Sequence, residues 1–316
     1  MSLDIAVQTL LDRMRGMPPF ELSTVEDARA STAAFLAFQE PQRLVSRVVD
    51  TTYAGSSEEL PIRIYVPEGT GPFPVVVYFH GGGFVTGDLI VSEELCRALA
   101  NDVGAIVAAV GYRLAPEHKF PAATDDTFAA LCWIADHVAQ FGGDPRRLAV
   151  HGDSAGGNLA AVTALRARDE GGPSLTCQVL VYPVIEPYAD TRSRHEFREG
   201  YVLNAAGMDW FWDHYLTTSA DADNPYVDPS KATDLAGLPP TLIVTMENEV
   251  PRDEAEYFGE QLAEAGVPTE VVRVDGLVHG VYWITAAVPR GNEIRALVVR
   301  FLVEQFAGRT IEGTVR

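Results

Sequence analysis

The stretch Val150-His-Gly-Asp-Ser-Ala-Gly-Gly-Asn158 decides the fold of this chain. It continues the apolar run Leu148, Ala149, Val150 and leads into a long segment of small residues, which reads as strand, sharp turn, helix. Within it, Gly152-Asp-Ser-Ala-Gly156 matches G-x-S-x-G, a turn that holds a serine hydroxyl exposed at the tip of a buried strand. Glycine is needed at 152 and 156 because the turn is strained and the helix must pack close to the strand. A glycine-rich turn without chemistry can carry the same letters, so the reading depends on what accompanies it. A serine at its free pKa is a poor nucleophile and needs a base within hydrogen-bond reach.

Around this turn the chain alternates. From residue 74 onward, short apolar runs at 75–79, 105–110, 148–150, 179–184, 241–245 and 271–274 are separated by helix-like stretches. Their lack of polar alternation predicts a mainly parallel sheet covered by helices on both faces, an α/β fold. Before residue 74, two alternating segments at 44–53 and 60–66 flank Ala54-Gly-Ser-Ser57 and predict an antiparallel hairpin. Further upstream, Leu3, Val7, Leu10, Leu11 and Met14 recur at helical spacing, as do Val25, Ala28, Thr32, Phe35 and Leu36. Ser23 and Glu26 match a capping box for the second helix, and Pro18-Pro19 separates the two.

One interval breaks the rhythm. More than fifty residues lie between Pro183 and Pro240, too many for a simple crossover. Met208, Phe211, Trp212 and Tyr215 fall on one helical face there. Ordinary core packing accounts for such a face; the functional reading is a cap over the carboxyl edge of the sheet, where open α/β sheets bind ligands. The expected organisation is N-terminal cap helices over 1–45, then a catalytic unit over 46–316 with a cap insertion at about 187–220. The carboxy-terminal helix, with Ile294, Leu297, Val298, Phe301 and Leu302, is expected to pack on the sheet and the last few residues to fray.

Composition narrows the function classes. The 316 residues carry a net charge of −20, which argues against nucleic acid or an anionic membrane surface as a partner. Cys96, Cys132 and Cys177 are odd in number and widely spaced, so a disulfide framework is not expected and a cytoplasmic, reducing location is. They have no metal-ligand spacing, and no metal or organic cofactor is expected. Asp4 and Asp12 interrupt the N-terminal apolar pattern, unlike a secretory signal, and the apolar runs are far too short to span a membrane. An outer strand near 270–274 offers an edge for pairing with a second copy, which leaves a homodimer open.

The candidate chemistry comes from three further places. His80-Gly-Gly-Gly-Phe84 follows the run at 75–79. Its glycines free backbone N–H groups to face a ligand; a phosphate loop would need a following Gly-Lys-Ser/Thr, which is absent. An oxyanion hole is the better reading, with N–H donors from Gly82, Gly83 and Ala155. Each such donor contributes on the order of 3 kcal/mol to stabilising a tetrahedral oxyanion. His279, in Gly276-Leu-Val-His-Gly280, is the candidate base, because a flexible glycine-flanked segment after a strand can swing an imidazole over the sheet edge. His118, His137, His151, His195 and His214 lie in helical or strand contexts, and His80 is expected to support the glycine loop. The acid should follow a strand between the serine and the histidine. Glu249 is preferred; Asp253 is the alternative, although Pro251 at a first helical position would put Asp253 and Glu254 in a first turn, where acids stabilise the helix. Phe84, Val85, Trp210, Phe211 and Tyr188 are candidate substrate-pocket residues.

These motifs together resemble the hormone-sensitive-lipase-like esterases (bacterial family IV) of the α/β-hydrolase fold: HGGGF at 80–84, YRLAPEHKFPAA at 112–123, GDSAGGN at 152–158, ENEVPRDEAE at 247–256 and GLVHG at 276–280. The order and spacing match over roughly residues 45–305. The resemblance implies Ser154 as nucleophile, His279 as base, Gly82, Gly83 and Ala155 as oxyanion donors, and a cap built from the N-terminus and the insertion. It implies a serine carboxylesterase working through an acyl-enzyme, and an enclosed pocket under the cap is expected to limit its esters to short or medium acyl chains. One departure stands out. The family usually carries Asp within D-P-L or D-V-L where this chain has Glu249-Val-Pro251. The extra methylene moves the carboxylate roughly 1.5 Å further from the backbone, so either the loop compensates or another acid serves. Amide, carbamate or carbon–carbon hydrolysis by the same groups stays open. A non-catalytic binding protein on this fold would be expected to have lost the nucleophile or base, and both are present.

Overall fold

The computed structural model describes residues 3–309; the expected fraying of the last few residues lies outside them. Two helices, α1 (Ile5–Met14) and α2 (Val25–Ala33), precede the hairpin β1 (Arg47–Ala54) and β2 (Glu59–Val66). There follow β3 (Phe73–Phe79), α3 (Glu93–Val103), β4 (Ile106–Val110), α4 (Ala122–His137), β5 (Gly143–Asp153), α5 (Ala155–Asp169) and β6 (Cys177–Val181). The long interval holds α6 (Arg192–Glu196) and α7 (Ala205–Tyr215). The chain closes with β7 (Thr241–Asn248), α8 (Arg252–Glu264), β8 (Thr269–Val278) and α9 (Gly291–Phe306).

The strands form one sheet in the order β1-β2-β4-β3-β5-β6-β7-β8. The β1–β2 and β2–β4 pairs are antiparallel, and from β4 to β8 every pair is parallel. Period-2 alternation explains how one strand serves two cores. Val75, Val77 and Phe79 of β3 join the core that includes residues of α4, α5, α7 and α8, while Val76 and Tyr78 join the core under α1, α3 and α9. Each fully buried Val or Phe stabilises the fold by about 1.5–3 kcal/mol relative to exposure. That is why these runs tolerate no polar alternation.

Three local expectations need correction. The N-cap of α2 is Thr24, whose Oγ1 accepts the Asp27 N–H at 3.1 Å, so the Ser23–Glu26 box is one residue out of register. Ser23 Oγ instead donates to the Pro19 carbonyl. The helix itself stops at Ala33 and continues as a 3-10 turn over Ala34–Phe38. Pro251 precedes the first residue of α8 rather than occupying it, although Asp253 and Glu254 do fall in its first turn.

In the parallel part of the sheet, several strand ends deliver a motif. The glycine loop follows β3, Ser154 follows β5, Glu249 follows β7 and His279 follows β8. The direction of the chain through a parallel sheet brings all four to the same carboxyl edge.

Candidate active site

Ser154 sits between β5 and α5 with φ 55° and ψ −121°, a backbone region costly for any residue with a side chain. The strain persists because the surroundings over-determine the turn. The Ser154 N–H donates to the Val181 carbonyl at 2.9 Å, and a Cβ at Gly156 would lie 2.0 Å from the Phe79 carbonyl oxygen. Only glycine allows α5 to approach β3 that closely.

His279 and Glu249 complete a relay. His279 Nε2 is 2.9 Å from Ser154 Oγ, and His279 Nδ1 is 2.8 Å from Glu249 Oε2. All three residues are buried. Asp253, the alternative acid, faces elsewhere: its carboxylate accepts the Ser193 N–H at 2.8 Å and Arg252 Nε at 2.9 Å. The longer side chain of Glu249 is taken up by folding back, since its Oε1 accepts the N–H of Met246 at 2.6 Å. The carboxylate thus curls over the end of β7 instead of reaching further out. Burial pushes the Glu249 carboxyl above its usual range, and the hydrogen bond with His279 opposes that rise.

The histidine does not ride on a flexible loop, contrary to the expectation from its flanking glycines. β8 continues to Val278 with an irregularity: Met246 pairs with Val274 but Asn248 pairs with Val278, so two steps on β7 match four on β8. Gly276, at φ 73°, lies within this bulge, and its N–H is held by Glu247 Oε2 at 2.7 Å. Bulges re-aim side chains, and this one sets the position from which His279 reaches the serine. The Tyr182 ring supports the imidazole at a centroid distance of 4.5 Å.

In the glycine loop, Gly82 and Gly83 have φ of 116° and 61°, and neither N–H has a hydrogen-bond partner among the described residues. Both residues share a cavity wall with Ser154 and His279. Ala155 is buried and is the first residue of α5, where a backbone N–H has no intrahelical acceptor. His80 is enclosed, with Nδ1 2.8 Å from the Gly81 carbonyl and its ring stacked on Tyr112; burial lowers its pKa. His151 is likewise enclosed, between the Val179 carbonyl and Tyr282 Oη.

Asp153, which the sequence reading left without a role, connects three parts of the site. Its Oδ1 accepts from Tyr78 Oη at 2.5 Å and from Trp283 Nε1 at 3.2 Å, and its carboxylate is also held by the Gly81 N–H. Burial raises its pKa to about 7, against the pull of these donors and of His279.

The cavity above Ser154 is small, about 90 Å³. Phe84 and Phe211 line it as expected, but Val85, Trp210 and Tyr188 do not. Val85 is fully buried in the core beside the glycine loop. Trp210 lies two residues from Met208 and so about 200° around α7, off the face that Met208, Phe211 and Trp212 present to the cavity. Tyr188 is 42% exposed and donates to Asp213 Oδ1 at 2.6 Å. Walls that the sequence reading missed include Phe20, Phe35, Tyr182, Val202 and Trp283. Trp283 alone carried a local signal, four residues beyond His279.

Sheet order, serine turn and buried relay define the class: an α/β fold with a strained serine elbow at its carboxyl edge. A family model described as an alpha/beta hydrolase fold matches residues 76–283. Carboxylic ester hydrolase LipN of Mycobacterium tuberculosis is 39% identical over 289 residues, covering 88% of this chain and 77% of that protein. An arylesterase of Saccharolobus solfataricus is 37% identical over 255 residues, covering 80% of this chain and 83% of that protein. Among solved structures, a hyperthermophilic esterase from Pyrobaculum calidifontis superposes with a TM-score of 0.91 at 38% identity, covering 96% of this chain and 99% of that one. The chain belongs to the α/β-hydrolase family, in its hormone-sensitive-lipase-like branch.

Proposed function

We propose that this chain is a serine carboxylesterase that hydrolyses short- to medium-chain carboxylic esters through an acyl-enzyme. The observation that carries the reading is the relay of 2.9 Å from Ser154 Oγ to His279 Nε2 and 2.8 Å from His279 Nδ1 to Glu249 Oε2. Ser154 Oγ attacks the ester carbonyl while His279 Nε2 takes its proton. Glu249 keeps the other imidazole proton on Nδ1 and stabilises the imidazolium that forms. Negative charge develops on the former carbonyl oxygen, facing the N–H groups of Gly82, Gly83 and Ala155. These donors are worth on the order of 10²–10³ each in rate. The alcohol leaves with the proton from His279. Water, activated by the same histidine, then releases the acid.

The N-terminal helices and the insertion at about 187–220 act as a cap in this reading, supported by Phe20 and Phe35 from the first and Val202, Met208 and Phe211 from the second, all lining the cavity. A volume near 90 Å³ holds only a handful of water-sized groups, which favours a short acyl chain. Among the described residues no helix is long and apolar enough to cross a membrane. The three cysteines are free thiols, which supports a reducing, cytoplasmic setting. The terminal strand β8 remains the candidate edge for a homodimer.

A series of p-nitrophenyl esters from acetate to palmitate tests the reading. Maximal kcat/KM at short or medium acyl chains is expected. A maximum at palmitate with activation at a lipid interface would make the protein a lipase instead, and turnover of anilides but no esters would make it an amidase.

A further inference from the structure

A second cavity, of about 230 Å³, adjoins the small one above Ser154. It is built from the end of α1, the Pro18–Pro19 turn, the α2 segment and residues 200–204. Phe20, Phe35 and Val202 line both cavities, so the inner and outer spaces are separated by a single layer of side chains. Nothing in the relay accounts for this outer space.

Its placement relative to the reacting atoms is asymmetric. On the oxyanion side the wall is shut: a Cβ at Gly83 would fall 2.2 Å from the Phe211 ring, and Phe211 packs on Phe20 at a centroid distance of 5.0 Å. Beside the histidine it is looser. A Cβ at Gly280, the residue after His279, would have only Val202 Cγ1 near it, at 4.0 Å. Val202 is therefore the partition residue that borders the segment carrying the histidine, and it lines the outer chamber as well.

We infer that the outer chamber binds the leaving alcohol of the ester, an apolar alkyl or aryl group too large for the inner cavity. The inference rests on the esterase reading above and adds the substrate class. When the carbon–oxygen bond to the alcohol breaks, His279 Nε2 delivers its proton to the departing oxygen, so that oxygen must lie on the histidine side. A substituent on it extends past Val202, whereas the acyl group stays in the inner cavity. The chamber walls match an apolar group: Leu11, Met14, Met17, Pro18, Pro19 and Tyr201 are among its lining residues. Arg15, the cation on that wall, is largely exposed and paired with Asp12 at 2.9 Å.

The test compares two ester series on the intact chain. One holds acetate constant and varies the alcohol from methyl to butyl to benzyl; the other holds methanol constant and varies the acid from acetate to hexanoate. Leu11→Trp fills the outer chamber, and Met14→Trp does so from a neighbouring position should the first variant fail to fold. The benzyl-to-methyl ratio of kcat/KM in the acetate series should fall at least tenfold, within the 10–200-fold range for discrimination by apolar pockets. The hexanoate-to-acetate ratio of the methyl esters should move less than twofold. Val202→Ala, which thins the partition, should raise the benzyl-to-methyl ratio. An unchanged benzyl ratio in a folded filled variant, or an equal fall in the acyl ratio, would overturn the assignment while leaving the esterase reading intact. No turnover of any ester by the wild-type chain would overturn both.

Discussion

Glu249 bridges its own strand and the histidine: Oε1 accepts the Met246 N–H at 2.6 Å while Oε2 meets His279 Nδ1 at 2.8 Å. The backbone bond fixes the carboxylate so that it presents one oxygen to the imidazole without the entropy of a free glutamate side chain. In the proposed relay this fold-back takes up the extra methylene of the glutamate.

Replacing that carboxylate should act on turnover. Glu249→Gln is expected to lower kcat by about 10⁴ with little change in KM, because an amide at Oε2 favours the wrong imidazole tautomer. Asp253→Asn should stay within a few-fold of wild type, since that side chain serves the Ser193 N–H and Arg252. Steady-state kinetics with p-nitrophenyl acetate separates the two. The reverse pattern would transfer the orienting role to Asp253.

Gly156→Ala tests the close approach behind the serine turn. The added Cβ would meet the Phe79 carbonyl oxygen at 2.0 Å, a backbone atom that cannot move without shifting the end of β3. Loss of about 3 kcal/mol or more in unfolding free energy is expected, measured by urea denaturation. A change below about 0.5 kcal/mol would mean that α5 and β3 are further apart than described.

The Asp153 carboxyl gives a stability signature. Its folded pKa, raised by burial from 3.8 to about 7, exceeds the unfolded value. The folded state therefore holds a proton that the unfolded chain releases between these values. Stability from this group is fully present below about pH 4 and is lost as pH rises through 7. The difference in urea midpoint between pH 4.5 and 7.5 should accordingly be smaller in Asp153→Asn than in the wild type. An identical difference in both proteins would show that Asp153 is ionised throughout.

What the sequence makes legible follows the range of the interactions concerned. Ser154 and the glycine loop sit at strand ends whose local patterns, apolar run then glycine turn, fix the backbone over a few residues. The alternation of the runs makes the α/β sheet equally legible. The register of the α2 cap is not, because Ser23–Glu26 and Thr24–Asp27 both offer a hydroxyl followed by an acid, and the structure uses the second while Ser23 Oγ donates to the Pro19 carbonyl. Nor is the bulge at Gly276 legible, since a glycine flanking a histidine reads equally well as a loose loop. The cavity walls are the least legible. Phe20, Phe35 and Val202 are far apart in the chain and meet only when the N-terminal segment folds over the sheet edge. Trp210 could have been excluded from the helical period alone, being out of phase with Met208 and Trp212.

The whole proposed reaction depends on Ser154 as the nucleophile. Incubation with diethyl p-nitrophenyl phosphate followed by peptide mass spectrometry tests it most directly. One phosphoryl adduct per chain on Ser154, complete loss of esterase activity in step with labelling, and a fall of about six decades in kcat for Ser154→Ala are expected. Labelling of a different residue, or ester turnover that survives in Ser154→Ala, would contradict it.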